Sequence, residues 1–182
     1  PDYIEIDGAQ QFAYVMDYGA LQRVGLTTGD RVTISSRSVG SGPTIPAGRG
    51  LTLDNARGYA YVPDENGRVY RISLTRGVRS LVTDRTTGSG PSPSSMRAAA
   101  YDPRTDRILV ANRGGAELIE VDPTTGVRTL MAAPASSPAN PLVNCFAMDL
   151  SPDGRQLFAV DNGFNAVMVI DRTRRDRVVL AK

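Results

Sequence analysis

Leu53-Asp54-Asn55-Ala56-Arg57-Gly58-Tyr59-Ala60-Tyr61-Val62-Pro63-Asp64 runs on to Arg71-Ile72-Ser73-Leu74 and Gly77-Val78-Arg79. A turn rich in Asp, Asn and Gly feeds a short aromatic and β-branched run, which ends on a second aspartate. Another apolar run and a Gly turn follow. That is the pattern of consecutive antiparallel strands. The pattern recurs: Tyr14-Val15-Met16-Asp17, Tyr61-Val62-Pro63-Asp64, Leu109-Val110-Ala111-Asn112 and Phe158-Ala159-Val160-Asp161 are spaced by 47, 48 and 49 residues. The upstream Asp7, Asp54, Asp102 and Ser151 keep that spacing. The downstream Thr28-Gly29-Asp30-Arg31, Arg76-Gly77-Val78-Arg79, Thr125-Gly126-Val127-Arg128 and Arg175-Asp176-Arg177 stay within a residue of it. Asp54 and Asp64, which alone look like paired carboxylates, become turn-forming positions once every copy carries their equivalents.

Each copy divides into four strands. Strand a is Tyr3–Ile6, Gly50–Leu53, Ala98–Tyr101 and Phe146–Leu150, and strand b runs into the Asp/Asn anchor. Strand c carries Leu21/Val24, Val69/Ile72, Leu118/Val121 and Val167/Ile170. Strand d is Arg31–Ser35, Val78–Val82, Val127–Met131 and Asp176–Leu180. No window holds a helical period of apolar residues for three turns. The reading is all-β: a single β-propeller domain over 1–182, built from about four four-stranded antiparallel blades (1–48, 49–96, 97–145 and 146–182). The ring is either four-bladed or part of a larger ring completed by another chain, a second copy being one source. The chain begins on Pro1 without a signal-peptide pattern, which reads as a mature form or an excised piece.

Composition narrows the chemistry. The net charge of +2 gives no reason to expect nucleic acid or an anionic membrane surface, and no apolar run approaches a membrane span. The chain has no His and, apart from Lys182, its basic residues are all Arg. Ser-His-Asp and Cys-His catalysis, imidazole zinc sites and Schiff-base chemistry therefore drop out. Carboxylate acid–base work and an oxygen-ligated Ca²⁺ or Mg²⁺ remain. Cys145 is the only cysteine and reads as a small buried hydrophobe.

Strand parity puts the a–b and c–d turns on one face, and the b–c turns and blade-to-blade connections on the other. The second face receives the long connections Ser36–Arg49, Asp84–Arg97 and Ala132–Cys145, and any site is expected there. Its candidate ligand-binding residues are Arg49 and Arg97, in register just before strand a, and the strand-b anchors Asp17, Asp64, Asn112 and Asp161. Two guanidinium groups at a channel mouth suit a carboxylate or phosphate. The anchors form a ring suited to a hard cation or a sugar, or each caps its own b–c turn. The fourth blade has Phe146 where two others have Arg. Gly40-Ser41-Gly42-Pro43 and Gly88-Ser89-Gly90-Pro91 read as a packing motif between blades, or as an anion nest.

Phe158-Ala159-Val160-Asp161-Asn162-Gly163-Phe164-Asn165-Ala166-Val167-Met168-Val169-Ile170-Asp171 resembles the YVTN pattern of the NHL/YVTN propellers. Leu150-Ser151-Pro152-Asp153-Gly154-Arg155-Gln156-Leu157-Phe158 is similar to the Ser-Pro-Asp-Gly hairpin of many bacterial propellers. The resemblance implies a periplasmic or extracellular location. More loosely the chain resembles the gluconolactonase-like (senescence-marker) propellers, which implies a divalent cation in the channel. That pattern starts a strand with Asn five positions before the Ser, where this chain has Phe146; Asn144 lies two residues too early, and Glu5 sits within a strand.

The expected function is thus a non-catalytic binding module using its long-loop face for a protein, peptide or glycan ligand, with no catalytic residues, no resident metal and no cofactor. The alternatives are a metal-dependent hydrolase or lactonase with Ca²⁺ in the channel, and a structural fragment acting in assembly as a homo-oligomer.

Overall fold

In a computed structural model, which describes residues 2–132, 142 and 144–182, the repeats fold as short strands because each is too short and too β-branched to pack as a helix. The first blade is β1 (Tyr3–Ile6), β2 (Phe12–Asp17), β3 (Ala20–Gly25) and β4 (Arg31–Ser35). The second is β5 (Thr52–Asp54), β6 (Tyr59–Pro63), β7 (Val69–Ser73) and β8 (Arg79–Thr83). The third is β9 (Met96–Asp102), β10 (Arg107–Asn112), β11 (Glu117–Val121) and β12 (Arg128–Ala132), with a 3₁₀ turn at Arg113–Gly115. The fourth is β13 (Cys145–Leu150), β14 (Gln156–Asp161), β15 (Ala166–Asp171) and β16 (Arg177–Ala181). Each blade is an antiparallel sheet with its strands in chain order, and the four sheets form a four-bladed β-propeller. The Pro-rich third connection at 134–141 lies outside the described residues.

The repeat extends to backbone detail. Every strand c to strand d pairing shifts register at one equivalent place: Leu21/Gln22, Val69/Tyr70, Leu118/Ile119 and Val167/Met168. Such bulges increase strand twist, which a blade requires. Each c–d turn closes with an i to i+4 backbone bond onto a left-handed residue, at Gly29, Gly77, Gly126 and Arg175. This explains the Thr-Gly turns of the first and third copies, and Arg175 shows that glycine is favoured there rather than obligatory. On the a–b side, Asp7 accepts hydrogen bonds from the Gln11 and Phe12 amides, Asp54 from Arg57 and Asp102 from Arg104. The turn role assigned to these aspartates is their observed geometry.

Strand a begins two residues later than expected in the second blade and two earlier in the third. Gly50 and Leu51 stay out of the ladder because strand a of the third blade crosses here: a Cβ on Gly50 would press on the Ala98 backbone, and Ala98 N–H donates to Arg49 O at 2.8 Å. Ala98 takes a left-handed φ of 46° at this crossing.

Blades pack face to face through apolar clusters. Tyr14, Met16 and Leu21 of the first meet Leu53, Val62 and Ile72 of the second. Tyr61 and Val69 meet Ile108, Val110 and Ile119, and Leu109 and Leu118 meet Leu157, Met168 and Ile170. Among the described residues no such cluster joins the fourth blade to the first.

Candidate functional site

Strands β1, β5, β9 and β13 line a central channel of about 530 Å³ whose wall includes Tyr3, Glu5, Thr52, Tyr101, Phe146 and Asp149. Each of these strands starts on the long-connection face, so Arg49, Arg97 and Phe146 gather at that mouth. The Arg97 guanidinium carbon sits 5.2 Å from the centre of the Phe146 ring. Arg97 Nε is buried and has no hydrogen-bond partner. Arg49 instead holds one oxygen of Glu65, through Nε at 3.0 Å and Nη2 at 2.8 Å, with both side chains partly in solvent. Burial raises the Tyr3 phenol above its ordinary pKa, while Arg97 and then Arg49 pull it down, so Tyr3 lies within the field of both cations.

Asp64 and Asp161 cap their own turns, whereas Asn112 reaches the preceding connection. Asp64 Oδ1 accepts from the Asn66 and Arg68 amides at 2.9 Å each; burial raises its carboxyl pKa and its Oδ2 has no hydrogen-bond partner. Asn112 Oδ1 accepts from Ser94, and its Nδ2 donates to Glu117. Asp161 accepts from the Gly163 and Phe164 amides through Oδ1 and from Asn144 N–H through Oδ2. Asp17 ends β2 in the corresponding place and is partly buried. The structure thus brings Arg49 and Arg97 toward one mouth but leaves the four anchors in separate blades. Among the described residues no three acidic or thiol side chains converge on one point. Cys145 is buried, and burial pushes its thiol up to about 12.

Two features escaped the sequence reading. Glu5 Oε1 accepts Leu53 N–H at 3.1 Å, and in the next blade Thr52 Oγ1 accepts Tyr101 N–H at 2.9 Å. One position on strand a therefore latches each of these blades to its successor. Burial, with a smaller push from Asp149, raises the Glu5 carboxyl to about 7. The second feature is the buried arginines that open strand d, Arg79 and Arg128, with Arg177 buried in the same register. Arg79 donates from Nε to Pro43 O (2.8 Å), from Nη1 to Ser35 Oγ (2.7 Å), Ser36 O (2.7 Å) and Val39 O (3.0 Å), and from Nη2 to Gly42 O (3.3 Å). Arg128 repeats this with Pro91 O, Thr83 Oγ1, Asp84 O and Thr87 O. The Gly-Ser-Gly-Pro connections are carbonyl cradles, each closing over the first residue of strand d in the following blade. They require glycine because a Cβ on Gly42 or Gly90 would overlap the carbonyl oxygen of Arg79 or Arg128. A constant Arg register together with a loop repeated 48 residues apart was the available signal.

Neither a protein-family model nor a curated protein sequence matches the chain. Solved structures do. Kuenenia stuttgartiensis hydrazine synthase superposes with a TM-score of 0.71 at 12% identity, over 100% of this chain and 49% of that one. An auxiliary nutrient binding protein from Bacteroides ovatus gives 0.73 at 13%, over 99% and 42%. A putative TolB from Agrobacterium tumefaciens gives 0.71 at 13%, over 100% and 61%. The likeness is one of fold. The chain spans about half the length of the first two, and neighbours with such varied functions share its blades rather than a common chemistry.

Proposed function

We propose that this chain is a non-catalytic binding module of the NHL/YVTN repeat type, and that its long-connection face takes a protein, peptide or glycan ligand by an anionic group. Arg97 carries the reading. Its guanidinium is held over an aromatic ring while a buried N–H donor is left without a partner. A buried unpartnered donor on a cation is costly, and such groups are kept where something uses them. Stacking holds the planar fork in one orientation, the arrangement that suits a carboxylate or phosphate. Arg49 adds a second cation whose exposed pairing with Glu65 is weak enough for a ligand anion to displace. The long connections that border this mouth give a ligand further surface to touch.

Binding to arrays of acidic peptides, phosphopeptides and uronate oligosaccharides tests the reading. An Arg49→Ala/Arg97→Ala double variant is expected to lose at least tenfold in affinity for whichever class binds. Unchanged affinity in a folded double variant would remove the site.

A further inference from the structure

The first blade packs one face on the second blade; strand register assigns Ile4, Ile6, Ala13, Val15, Val24 and Arg31 to its other face. Ile4 and Ile6 are 69% and 52% exposed. The equivalents in the second blade are Leu51, Leu53, Ala60, Val62, Ile72 and Arg79, all buried, and the five apolar ones pack in the cluster shared with the first blade. The same kind of face is therefore fully covered in the second blade, whereas in the first Ala13 is buried, Val15 and Val24 are half-buried, and Ile4, Ile6 and Arg31 are exposed. A partly exposed apolar sheet face of this sort marks an interaction surface.

Arg31 indicates what an occupant of this face would offer. It holds the register of Arg79 and Arg128, both closed over by a connection from the blade before. Yet Arg31 is exposed and makes no side-chain hydrogen bond or ion pair with the described residues. We propose that the outer face of the first blade is an interface for a further blade of this same repeat. The fourth strand of that blade ends on Ser or Thr and runs into a Gly-x-Gly-Pro connection whose main-chain carbonyls close over Arg31. A second copy of this chain would bring Ala181 to the place of Ser35 and Thr83, whose hydroxyls Arg79 and Arg128 both use; Ala132 holds that place ahead of the buried Arg177, so the light-scattering arm of the test decides against or for a second copy. This interface is independent of the channel-mouth site.

The test extends the full chain by joining a second copy of residues 49–95 directly ahead of Pro1, so that a duplicated Gly-Ser-Gly-Pro connection precedes Arg31. Maleimide labelling of an Ile6→Cys variant reads coverage of the face, the buried Cys145 staying silent. Labelling is expected to be at least tenfold slower in the extended chain, and its unfolding midpoint higher than the parent's. Arg31→Ala should lower the midpoint of the extended chain while leaving that of the unextended chain unchanged. Equal labelling rates, an extended chain no more stable than the parent, or indifference of the extended chain to Arg31→Ala each overturn the proposal. So does an unextended Ile6→Cys chain that light scattering shows to be a dimer with its introduced thiol already protected, since the occupant is then a second copy.

Discussion

Replacing Arg79 with Ala tests whether the carbonyl cradles hold the blades together. The substitution removes five hydrogen bonds between 2.7 and 3.3 Å, four of them to main-chain oxygens of the preceding connection, from a side chain only 5% exposed as a residue. Charged hydrogen bonds are each worth about 1.5–3 kcal/mol net. Summing five overshoots, because water re-enters and such terms are not additive. The cost of leaving buried carbonyls unsatisfied, about 1–3 kcal/mol for each that water does not reach, is the better guide and puts the loss at about 3–5 kcal/mol. For a domain of this size that lowers the unfolding midpoint by roughly 6–20 °C. Arg79→Lys should recover only part, since an ammonium lacks the planar fork. Arg31→Ala is the control, expected within about 0.5 kcal/mol of the parent because Arg31 is exposed. Urea and thermal unfolding followed by two probes give the comparison. If Arg79→Ala proves no more costly than Arg31→Ala, the cradle is not a structural device.

Glu5 makes stability depend on pH. Its folded carboxyl keeps a proton up to about 7, whereas an unfolded one releases it near its ordinary value of 4.5. The native state therefore binds more protons across that window, and its stability falls as pH rises through it, by about 3 kcal/mol at most. Urea unfolding between pH 4.5 and 8 should show the fall, and Glu5→Gln should flatten it while preserving an acceptor for Leu53 N–H. Cys145, with its thiol pushed up to about 12, should resist alkylation in the native protein and react only at the rate of unfolding. Gly42→Ala should cost about 2 kcal/mol or more, because φ is +100° and the new Cβ overlaps the Arg79 carbonyl. Gly29→Ala, at φ +74° with nothing within 4 Å, should cost about 1 kcal/mol, and unfolding free energies decide between the two.

The blades were legible because a two-residue period, Asx and Gly turns and a 47–49 residue repeat are all local signals. Strand d at Arg31–Ser35 matches the expected bounds, and the other three strands d sit one residue later than expected. The errors at β5 and β9 arose where Gly50 meets Ala98, a contact between blades that no local pattern encodes. The site divides in the same way. Asp64 and Asp161 were visible as anchors because capping is local, whereas the partner of Asn112, Ser94, lies in the preceding connection. The stacking of Arg97 on Phe146 and the latch of Glu5 on Leu53 link residues 48 or 49 positions apart, and depend on how neighbouring blades sit. The Gly-Ser-Gly-Pro loops were conspicuous, but their use emerges only when Arg79 and Arg128 are placed inside them.

The most direct test of the anion-binding mouth follows the Arg97 Nε–Hε resonance in a nitrogen–proton NMR titration. Succinate, inorganic phosphate and an oligogalacturonate serve as three separate probes, and Arg97→Lys fixes the assignment. The account predicts a saturable shift of the Arg97 signal with at least one of them, accompanied by Arg49 and abolished in the Arg49→Ala/Arg97→Ala variant. An Arg97 signal that none of the three moves, in a folded protein, would contradict it.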